Sequence, residues 1–324
     1  MTLEADTIIA RRKLRRSLSL WRVIAVAAVT AAVLALGLAG SEPLFDLARS
    51  SDHIARIRIA GLITGDEDTL KLIDKVRDAR RVRAVIIRIN SPGGTTAGSE
   101  ALYERLRSLA EKKPVTAVMD TVAASGGYIA ALAADHIVAR GNTITGSIGV
   151  IFQWAEVSKL LETLGIRMEE IKSGELKAEP NMFRPLSEKV RQVTEAMVQD
   201  SFRWFTGLVG ERRNLASETV IGLSDGRVFT GRQALEARLV DEIGGEKQAV
   251  AWLAADRKID AKLKVIDWEV SKDNLASGLD LRLARAVLKA LGLSSLVSLD
   301  EKILPAEHLR LDGLLSVWHP AIGD

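Results

Sequence analysis

The chemistry that this sequence could support centres on Ser125, a lone serine between two alanines and two glycines in the motif AASGG at residues 123–127. An apolar run at 114–119 precedes the motif and predicts a buried strand, and small helix-compatible residues follow it through Ala134. Ser125 is therefore expected at a helix N-terminus, where backbone N–H groups and the helix dipole favour a developing negative charge. Ser125 is either an ordinary helix cap or a nucleophile.

A serine nucleophile needs a base, because an unassisted hydroxyl attacks poorly at neutral pH. The chain has four scattered histidines, at positions 53, 136, 308 and 319. His136 would lie at the far end of the helix that Ser125 begins, about 15 Å away at 1.5 Å per residue, so a Ser-His-Asp triad is disfavoured. A lysine can serve instead when burial lowers its pKa from about 10.4 toward 7 or 8. Lys172 and Lys177 are candidates, and spacing alone does not choose between them.

Serine chemistry also needs an oxyanion hole, and glycines near a strand end can supply its backbone N–H groups. Gly93 and Gly94 follow the β-branched run 82–89, so their N–H groups could point into the same cleft as Gly126. A simple tight turn is the alternative. No cysteine is present and no histidines are paired at metal-binding spacing, so we expect neither a metal site nor a cofactor.

The elements that position these residues alternate between strand-like and helix-like runs from residue 53 onward, which predicts one α/β domain over 53–270 with mostly parallel strands. The predicted strands are 53–59, 82–89, 114–119, 137–139, 143–151, 168–172 and 263–268. The main predicted helices are 69–79, 98–112, 127–134, 156–164 and 187–213. Loops are expected at 90–94 and 173–185, and a hairpin or turn at 225–231.

The amino-terminal part predicts membrane attachment. Segment 23–40 includes seventeen uncharged residues from Val23 to Ala39, which is short for a spanning helix and slightly long for a signal-peptide core. We favour a retained transmembrane anchor over a cleaved signal or a buried soluble helix. The basic residues of segment 1–22 then place that end in the cytoplasm and the domain, after a linker at 41–52, outside it.

The charge and composition of the chain outside its first 22 residues do not predict nucleic-acid binding. Residues 1–22 hold six of the 45 basic and two of the 42 acidic residues, which leaves 39 basic and 40 acidic residues in the rest. A near-neutral, aromatic-poor body does not suit a nucleic-acid partner. The carboxy-terminal extension, 271–324, carries short amphipathic patches at 281–291 and 309–318, which could dock on the domain, on another subunit or on a membrane surface.

Four motifs follow the predicted anchor in order: RINSPGG at 88–94, AASGGY at 123–128, TITGSIGV at 143–150 and KSGELK at 172–177. Together, over about residues 54–268, they resemble the short, single-domain form of signal peptide peptidase A, a family of membrane-anchored bacterial Ser-Lys peptidases in the Clp protease/crotonase superfamily. The resemblance implies the α/β spiral of ββα units found in that superfamily, preceded by one transmembrane helix, and no cofactor.

The resemblance also implies a role for each matched residue. Ser125 matches the nucleophile and Lys177 the general base, whereas Lys172 would be structural or contact substrate. Ser147 matches a serine that hydrogen-bonds the neutral lysine amine and helps to orient it. The oxyanion N–H groups are assigned to the backbone of residues Gly94 and Gly126.

Two positions depart from the family pattern. Ile129 stands where a second tyrosine is frequent, and we expect it to alter the substrate groove. Asp120 stands where a glycine commonly follows the methionine, and we expect it to leave the nucleophile untouched.

The activity that the resemblance implies is a serine endopeptidase that degrades cleaved signal peptides and other apolar unfolded segments with small or apolar P1 side chains. Its domain would face the periplasm from the bacterial inner membrane. The family's assembly implies a homo-oligomer, an octamer, in which serine and lysine come from neighbouring subunits. The alternatives are a protease dedicated to one membrane protein, a crotonase-type acyl-CoA hydratase or isomerase, and a catalytically silent membrane scaffold. The anchor and the lysine motif argue against the hydratase.

Overall fold

A computed structural model describes Trp21, residues 49–270 and residues 315–317 of the chain. Residues 52–270 and 315–317 belong to one compact unit. The predicted anchor at 23–40 and the patch at 281–291 lie outside the described residues. Within the described ranges, no helix is long and apolar enough to cross a membrane.

The described domain is α/β, as predicted, with helices packed on a nine-stranded sheet. The strands are β1 His53–Ile63, β2 Val82–Thr95, β3 Val115–Ala124, β4 His136–Ala139, β5 Ile144–Gly146, β6 Val228–Thr230, β7 Glu242–Ile243, β8 Val265–Trp268 and β9 Leu315–Val317. The helices are α1 Glu67–Asp78, α2 Thr96–Ala110, α3 Gly126–Leu132, α4 Ser158–Thr163, α5 Glu188–Arg213, α6 Ser217–Leu223, α7 Gly231–Glu236 and α8 Glu246–Arg257.

Most neighbouring strands are parallel, which confirms the prediction. The main path through the sheet is β6-β5-β3-β2-β1-β8, while β4 pairs with β3 and β7. Among the described strands, only the β5–β6 and β2–β9 pairs are antiparallel. Parallel strands need both faces covered, because the connecting helices lie on those faces.

The three central strands bury alternate side chains on opposite faces of the sheet. Ile57 and Ile87 pack on one face with Phe205 of α5. Ile86 packs on the other face with Leu253 of α8. Each fully buried side chain of this size contributes about 1.5–3 kcal/mol, so the β-branched runs that predicted strands also fix the central layer of the fold.

Strand β3 changes neighbours along its length. Its first half pairs with β4, from Thr116 opposite His136 to Met119 opposite Ala139. Its last residues pair instead with β5, and Ala124 lies opposite Gly146. β3 is therefore paired with β4 first and with β5 next, and its β5-paired end leads directly into Ser125 and the helix α3.

Two local predictions were wrong. The expected loop at 90–94 is part of β2, because Gly93 and Gly94 continue to pair with β1 after a register shift. The expected strand at 168–172 is absent from the described structure; the segment is irregular, and Ile171 is fully exposed. An apolar run becomes a strand only where another strand is available to pair with it.

Candidate active site

Ser125 occupies the turn between β3 and α3 in a backbone conformation that is unusual for a residue with a side chain. Its φ is 54° and its ψ is −117°, which costs about 1–3 kcal/mol unless the surroundings hold it. Its N–H donates to the Gly146 carbonyl at 2.8 Å, and its carbonyl accepts from Tyr128 and Ile129, each at 2.9 Å. The fold therefore holds this serine, which is 1% exposed, in a fixed and strained position.

The helix-cap interpretation of Ser125 is confirmed for its position in the chain but not for its side chain. Ser125 is the N-cap residue of α3 by position, as the sequence predicts, but its side chain accepts no hydrogen bond from the first turn of that helix. A helix cap normally uses its side-chain oxygen for that bond. Capping therefore does not explain why a serine stands here.

The predicted oxyanion glycines lie against each other beside Ser125. A side chain at Gly94 would overlap the carbonyl oxygen of Ile63 on β1, so only glycine fits there. A Cβ added at Gly126 would lie 3.2 Å from both the Gly93 Cα and the Gly94 nitrogen. The backbones of Gly94 and Gly126 thus lie too close together for a side chain at Gly126, and backbone N–H groups placed in this way can stabilise an oxyanion.

Ser91 supports this arrangement, and its role was missed from the sequence. Its hydroxyl donates to the Gly61 carbonyl at 2.7 Å and accepts from the Gly93 N–H at 3.1 Å. The side chain is fully buried, so it ties the bulge of β1 to the end of β2. The serine of the NSPGG motif was the available signal, but the motif does not reveal which carbonyl 30 residues away it contacts.

Ser147 also belongs to the site. It directly follows Gly146, whose carbonyl accepts the Ser125 N–H, and its own N–H donates to the Arg227 carbonyl at 2.8 Å. Its φ is 49°, so a second strained serine lies one residue from the strand that positions the first. The structure therefore brings Ser147, Gly94 and Gly126 around Ser125.

The two candidate lysines have different surroundings. Lys172 Nζ donates to Glu179 at 2.7 Å and forms an ion pair with Glu170 at 2.9 Å. The hydrogen bond to Glu179, and then the one to Glu170, raise the pKa of Lys172. Because this amine retains its proton, Lys172 suits a structural ion pair better than a general base.

Lys177 lies apart from Ser125 in the single chain. It is exposed on a turn where its backbone N–H donates to the Gly174 carbonyl at 3.1 Å. No hydrogen bond joins its side chain to Ser125 in the part of the chain that the structure describes. Ser125 is buried while Lys177 is exposed in the single chain.

Lys177 belongs to an irregular segment, residues 151–186, that we call the arm. Its one helix, α4, has no buried residue. Large apolar side chains of the arm are exposed at Ile151, Leu160, Leu164, Ile166, Met168, Ile171, Leu176 and Met182. Exposed apolar residues concentrated in one segment are typical of an interaction surface.

The described histidines lie away from the serine turn. His53 accepts a hydrogen bond from the Trp268 indole at 3.1 Å. His136 stacks on Trp252, with ring centroids 4.7 Å apart, and lies 3.2 Å from Glu242. His308 and His319 are outside the described residues. Each described histidine thus has a structural partner of its own.

Ile129 and Asp120, the two residues that depart from the family pattern, have different surroundings in the structure. Ile129 is fully buried in the core, so in the single chain it does not line a groove, contrary to the expectation. Asp120 forms an ion pair with Arg88 at 2.7 Å across β3 and β2. That pair raises the pKa of Arg88 through the Asp120 hydrogen bond. Asp120 therefore links β3, which leads into Ser125, to β2, which contains Gly94.

Comparison with protein families gives one match. The sequence model of Peptidase family S49 matches residues 107–260, the range that contains Ser125, Ser147 and Lys177. "Putative protease slr0021" of Synechocystis sp. is 40% identical over 202 residues, which cover 62% of this chain and 73% of that protein.

Two further relatives differ in length. "Putative signal peptide peptidase SppA" of Enterococcus faecium is 30% identical over 251 residues, 73% of each chain. "Serine protease SPPA, chloroplastic" of Arabidopsis thaliana is 34% identical over 245 residues, which cover 73% of this chain and 36% of that protein. A solved ClpP1 mutant from Listeria monocytogenes matches 63% of this chain and 95% of its own, with 18% identity and a TM-score of 0.42. A likeness of that size supports no conclusion about fold or assembly.

Proposed function

Because the chain belongs to peptidase family S49, we propose that it is a membrane-anchored serine endopeptidase with Ser125 as nucleophile and Lys177 as general base. The observation that carries the proposal is the strained, buried Ser125 beside the closely spaced backbones of Gly94 and Gly126. Strain of this kind persists where the surrounding structure over-determines it, and it concentrates at functional sites.

The proposed mechanism is acyl transfer. Neutral Lys177 accepts the Ser125 hydroxyl proton as the oxygen attacks the scissile carbonyl, and the N–H groups of Gly94 and Gly126 bind the resulting oxyanion. The lysine then protonates the leaving amine, which leaves an acyl ester on Ser125. The same amine activates a water molecule that hydrolyses the ester and restores the serine. Ser147 would orient the lysine through a hydrogen bond.

We propose that Lys177 reaches Ser125 from a neighbouring subunit of a homo-oligomer, an octamer. Exposure of Lys177 in the single chain supports this, since a lysine base needs burial that the single chain does not give it. The exposed apolar side chains of the arm supply a surface that a second subunit could cover. A head-to-tail contact of this kind closes into a ring when its rotation permits.

The substrate class and location are also proposals. Segment 23–40 would anchor the chain in a bacterial inner membrane, with the domain on the periplasmic side. Leftover signal peptides and other apolar unfolded segments would then be the available substrates. The fold would be the spiral of ββα units that the family resemblance implies, and the change of partner by β3 supports it.

The test is hydrolysis of a fluorogenic peptide with a small apolar P1 residue by the detergent-solubilised full chain. Ser125→Ala and Lys177→Ala are each expected to lower kcat by about 10³-fold or more, because removing either member of a catalytic unit disables it. Lys172→Ala is the matched control and should retain over about a tenth of the activity, since Lys172 is paired with carboxylates. Full activity of either dyad variant would refute the proposed site.

A further inference from the structure

The C-terminal end of helix α3 is bound by two arginines from other helices. Arg212 of α5 donates from Nε to the Leu132 carbonyl at 2.8 Å and from Nη2 to the Ala134 carbonyl at 2.9 Å. Arg107 of α2 donates from Nη1 to the Ala133 carbonyl at 2.8 Å. Three successive carbonyls at the end of the helix that follows the nucleophile turn thus each accept a guanidinium hydrogen bond.

These hydrogen bonds satisfy carbonyls that α3 cannot satisfy by itself. The last carbonyls of a helix have no partner within it, and α3 has only seven residues, all of them buried. Leu132, Ala133 and Ala134 are at most 4% exposed, so solvent is a poor source of partners. A buried carbonyl left without a hydrogen bond is costly, and a cation at a helix C-terminus is favourable. Arg107 and Arg212 therefore fix the end of this helix.

Placing two guanidinium groups next to each other is unfavourable in itself. Burial, and then the positive charge of Arg107, lower the pKa of Arg212. An arginine side chain nevertheless keeps its proton in a protein. Asp135, whose carboxylate lies 3.9 Å from Arg107, offsets part of the repulsion. The fold therefore tolerates two neighbouring positive charges at the place where α2 and α5 meet the end of α3.

The two helices that bind α3 are continuous with the other parts of the proposed site. α2 begins at Thr96, two residues after the proposed oxyanion residue Gly94. α5 begins at Glu188, two residues after the arm that carries Lys177. The C-terminal end of α3 is therefore joined directly to the chain segments that carry an oxyanion donor and the proposed base.

Helix α2 contacts α3 at both of its ends. A Cβ added at Gly126, the first residue of α3, would overlap the Ser99 hydroxyl oxygen of α2, and Arg107 of α2 binds the Ala133 carbonyl. A helix of seven residues is about 10 Å long and moves as a rigid unit. A displacement at the C-terminal end of α3 would therefore move Ser125 by a similar distance relative to Gly94.

We propose that Arg107 and Arg212 are positioning residues for the nucleophile, and that they act through α3 by keeping Ser125 aligned with the oxyanion N–H of Gly94. This inference rests on the proposed function, because it takes Ser125 to be the nucleophile. Both arginines bind the end of α3 that is opposite Ser125. Because a misplacement of about 1 Å at the reacting atoms can lower the rate about 10²-fold, the effect of losing them should appear in kcat.

The kinetic test compares Arg212→Met with Arg213→Met in hydrolysis of the fluorogenic peptide by the detergent-solubilised full chain. Arg213 is the matched control, because it is the next residue of α5 but donates to the Arg238 carbonyl at 2.8 Å and pairs with Asp241 instead of binding α3. We expect kcat to fall about 10-fold in Arg212→Met with KM changed less than about 2-fold. Arg213→Met should change kcat less than about 2-fold.

A conservative variant separates positioning from a general loss of packing. Arg212→Lys keeps the charge and a donor but not the planar fork that reaches two carbonyls, so its kcat should lie between those of the parent chain and Arg212→Met. Equal losses of kcat in folded Arg212→Met and Arg213→Met, with folding checked by circular dichroism, would overturn the proposal. So would a loss that appears only in KM.

Hydrogen exchange tests the same contacts without hydrolysis. The Tyr128 and Ile129 amides donate to the Ser125 carbonyl, so their exchange reports how firmly the turn is fixed. Relative to the Ile57 amide in β1, they should exchange about 10-fold faster in Arg212→Met and at the parent rate in Arg213→Met. An unchanged ratio in Arg212→Met contradicts the inference. If Arg212→Met does not fold, Arg107→Met, which removes one hydrogen bond instead of two, is measured in the same way.

These outcomes separate the two proposals. Faster relative exchange at Tyr128 and Ile129 in Arg212→Met, together with no hydrolysis by the parent chain, would refute the peptidase and keep the arginines as residues that fix the Ser125 turn. Hydrolysis that depends on Ser125, together with equal kcat in the two methionine variants and unchanged exchange, would refute the positioning role and keep the peptidase.

Discussion

The nucleophile turn and the arm divide the proposed catalytic dyad between two very different regions. The turn is buried, and its backbone is fixed because the Ser125 N–H donates to the Gly146 carbonyl and the Ser125 carbonyl accepts from the Tyr128 N–H. The arm, residues 151–186, is irregular and exposes apolar side chains, and its Lys177 is exposed as well. Among the described residues, the turn is enclosed by the packing of the domain, while the apolar side chains of the arm are exposed.

This difference indicates which contacts fix the position of each half of the proposed site. The serine side needs only the packing of one domain, because strand ends, close glycine contacts and a buried serine fix it. The lysine side has charged anchors at its base, where Lys172 joins Glu170 and Glu179, but no core of its own. In our account a neighbouring subunit completes it. The following predictions test that contrast, beginning with the largest expected effect.

Replacing a glycine with alanine should change the free energy of unfolding much more beside the nucleophile turn than in the arm. Gly94→Ala forces a Cβ into the Ile63 carbonyl and should lower the free energy of unfolding by about 3 kcal/mol. Gly174→Ala in the arm meets no atom within 4 Å and should change it by less than about 0.5 kcal/mol. Denaturant unfolding of both variants measures this. Equal stabilities would mean that the glycine contact is not as tight as the structure indicates.

A charge on the arm should affect assembly rather than folding. Ile171 is fully exposed in the single chain, so Ile171→Glu should leave the unfolding midpoint unchanged. It should dissociate the oligomer and reduce peptide hydrolysis by about 10-fold at low protein concentration, since a charge in an apolar interface is costly. Light scattering and activity are measured together, and Glu162→Gln, a change at another exposed residue of the arm, is the control. An intact, fully active Ile171→Glu oligomer would remove the arm from the interface.

The smallest expected effect concerns acid stability. The Arg56 hydrogen bond lowers the pKa of Asp267 below its usual 3.8, so this pair stabilises the fold above about pH 4 and loses that contribution as the pH falls through the lowered pKa. Because the carboxyl is a third exposed, the contribution is under about 1 kcal/mol. Asp267→Asn should therefore flatten the fall in unfolding free energy between pH 6 and pH 3.

The matched change in the arm is Glu175→Gln. Lys189 lowers the pKa of Glu175 as well, but this pair is exposed to solvent and screened by salt. The free energy of unfolding of this variant should therefore fall between pH 6 and pH 3 as steeply as that of the parent chain. A smaller fall in the unfolding free energy of Glu175→Gln would show that ion pairs of the arm stabilise the fold more than their exposure suggests.

The sequence predicted the strand, turn and helix around Ser125 because the signals of these elements are local. The strand β3 ends at Ala124 and the helix α3 begins at Gly126, as the pattern within a few residues of Ser125 indicates. It also placed the long helix α5 within one residue of its start, since Ser187 caps it through the Val190 N–H. Strong local patterns of this kind leave few alternative structures.

The failures concern segments whose structure depends on distant partners. The run 168–172 has strand-like residues but no neighbouring strand, so it stays irregular. The three residues of β9 are too few to predict a strand, and they pair with β2 more than 200 residues earlier in the chain. The surroundings of Lys177 depend, in our account, on another subunit. No local pattern carries that information.

The central claim is that one subunit supplies Ser125 and its neighbour supplies Lys177, and mixed oligomers test it most directly. Chains carrying Ser125→Ala and chains carrying Lys177→Ala are co-expressed with different affinity tags, and doubly tagged oligomers are assayed for peptide hydrolysis. A shared site should recover about a quarter of the parent activity, because random head-to-tail neighbours restore an intact pair at that frequency. Co-assembled oligomers that stay as inactive as each variant alone would contradict the claim.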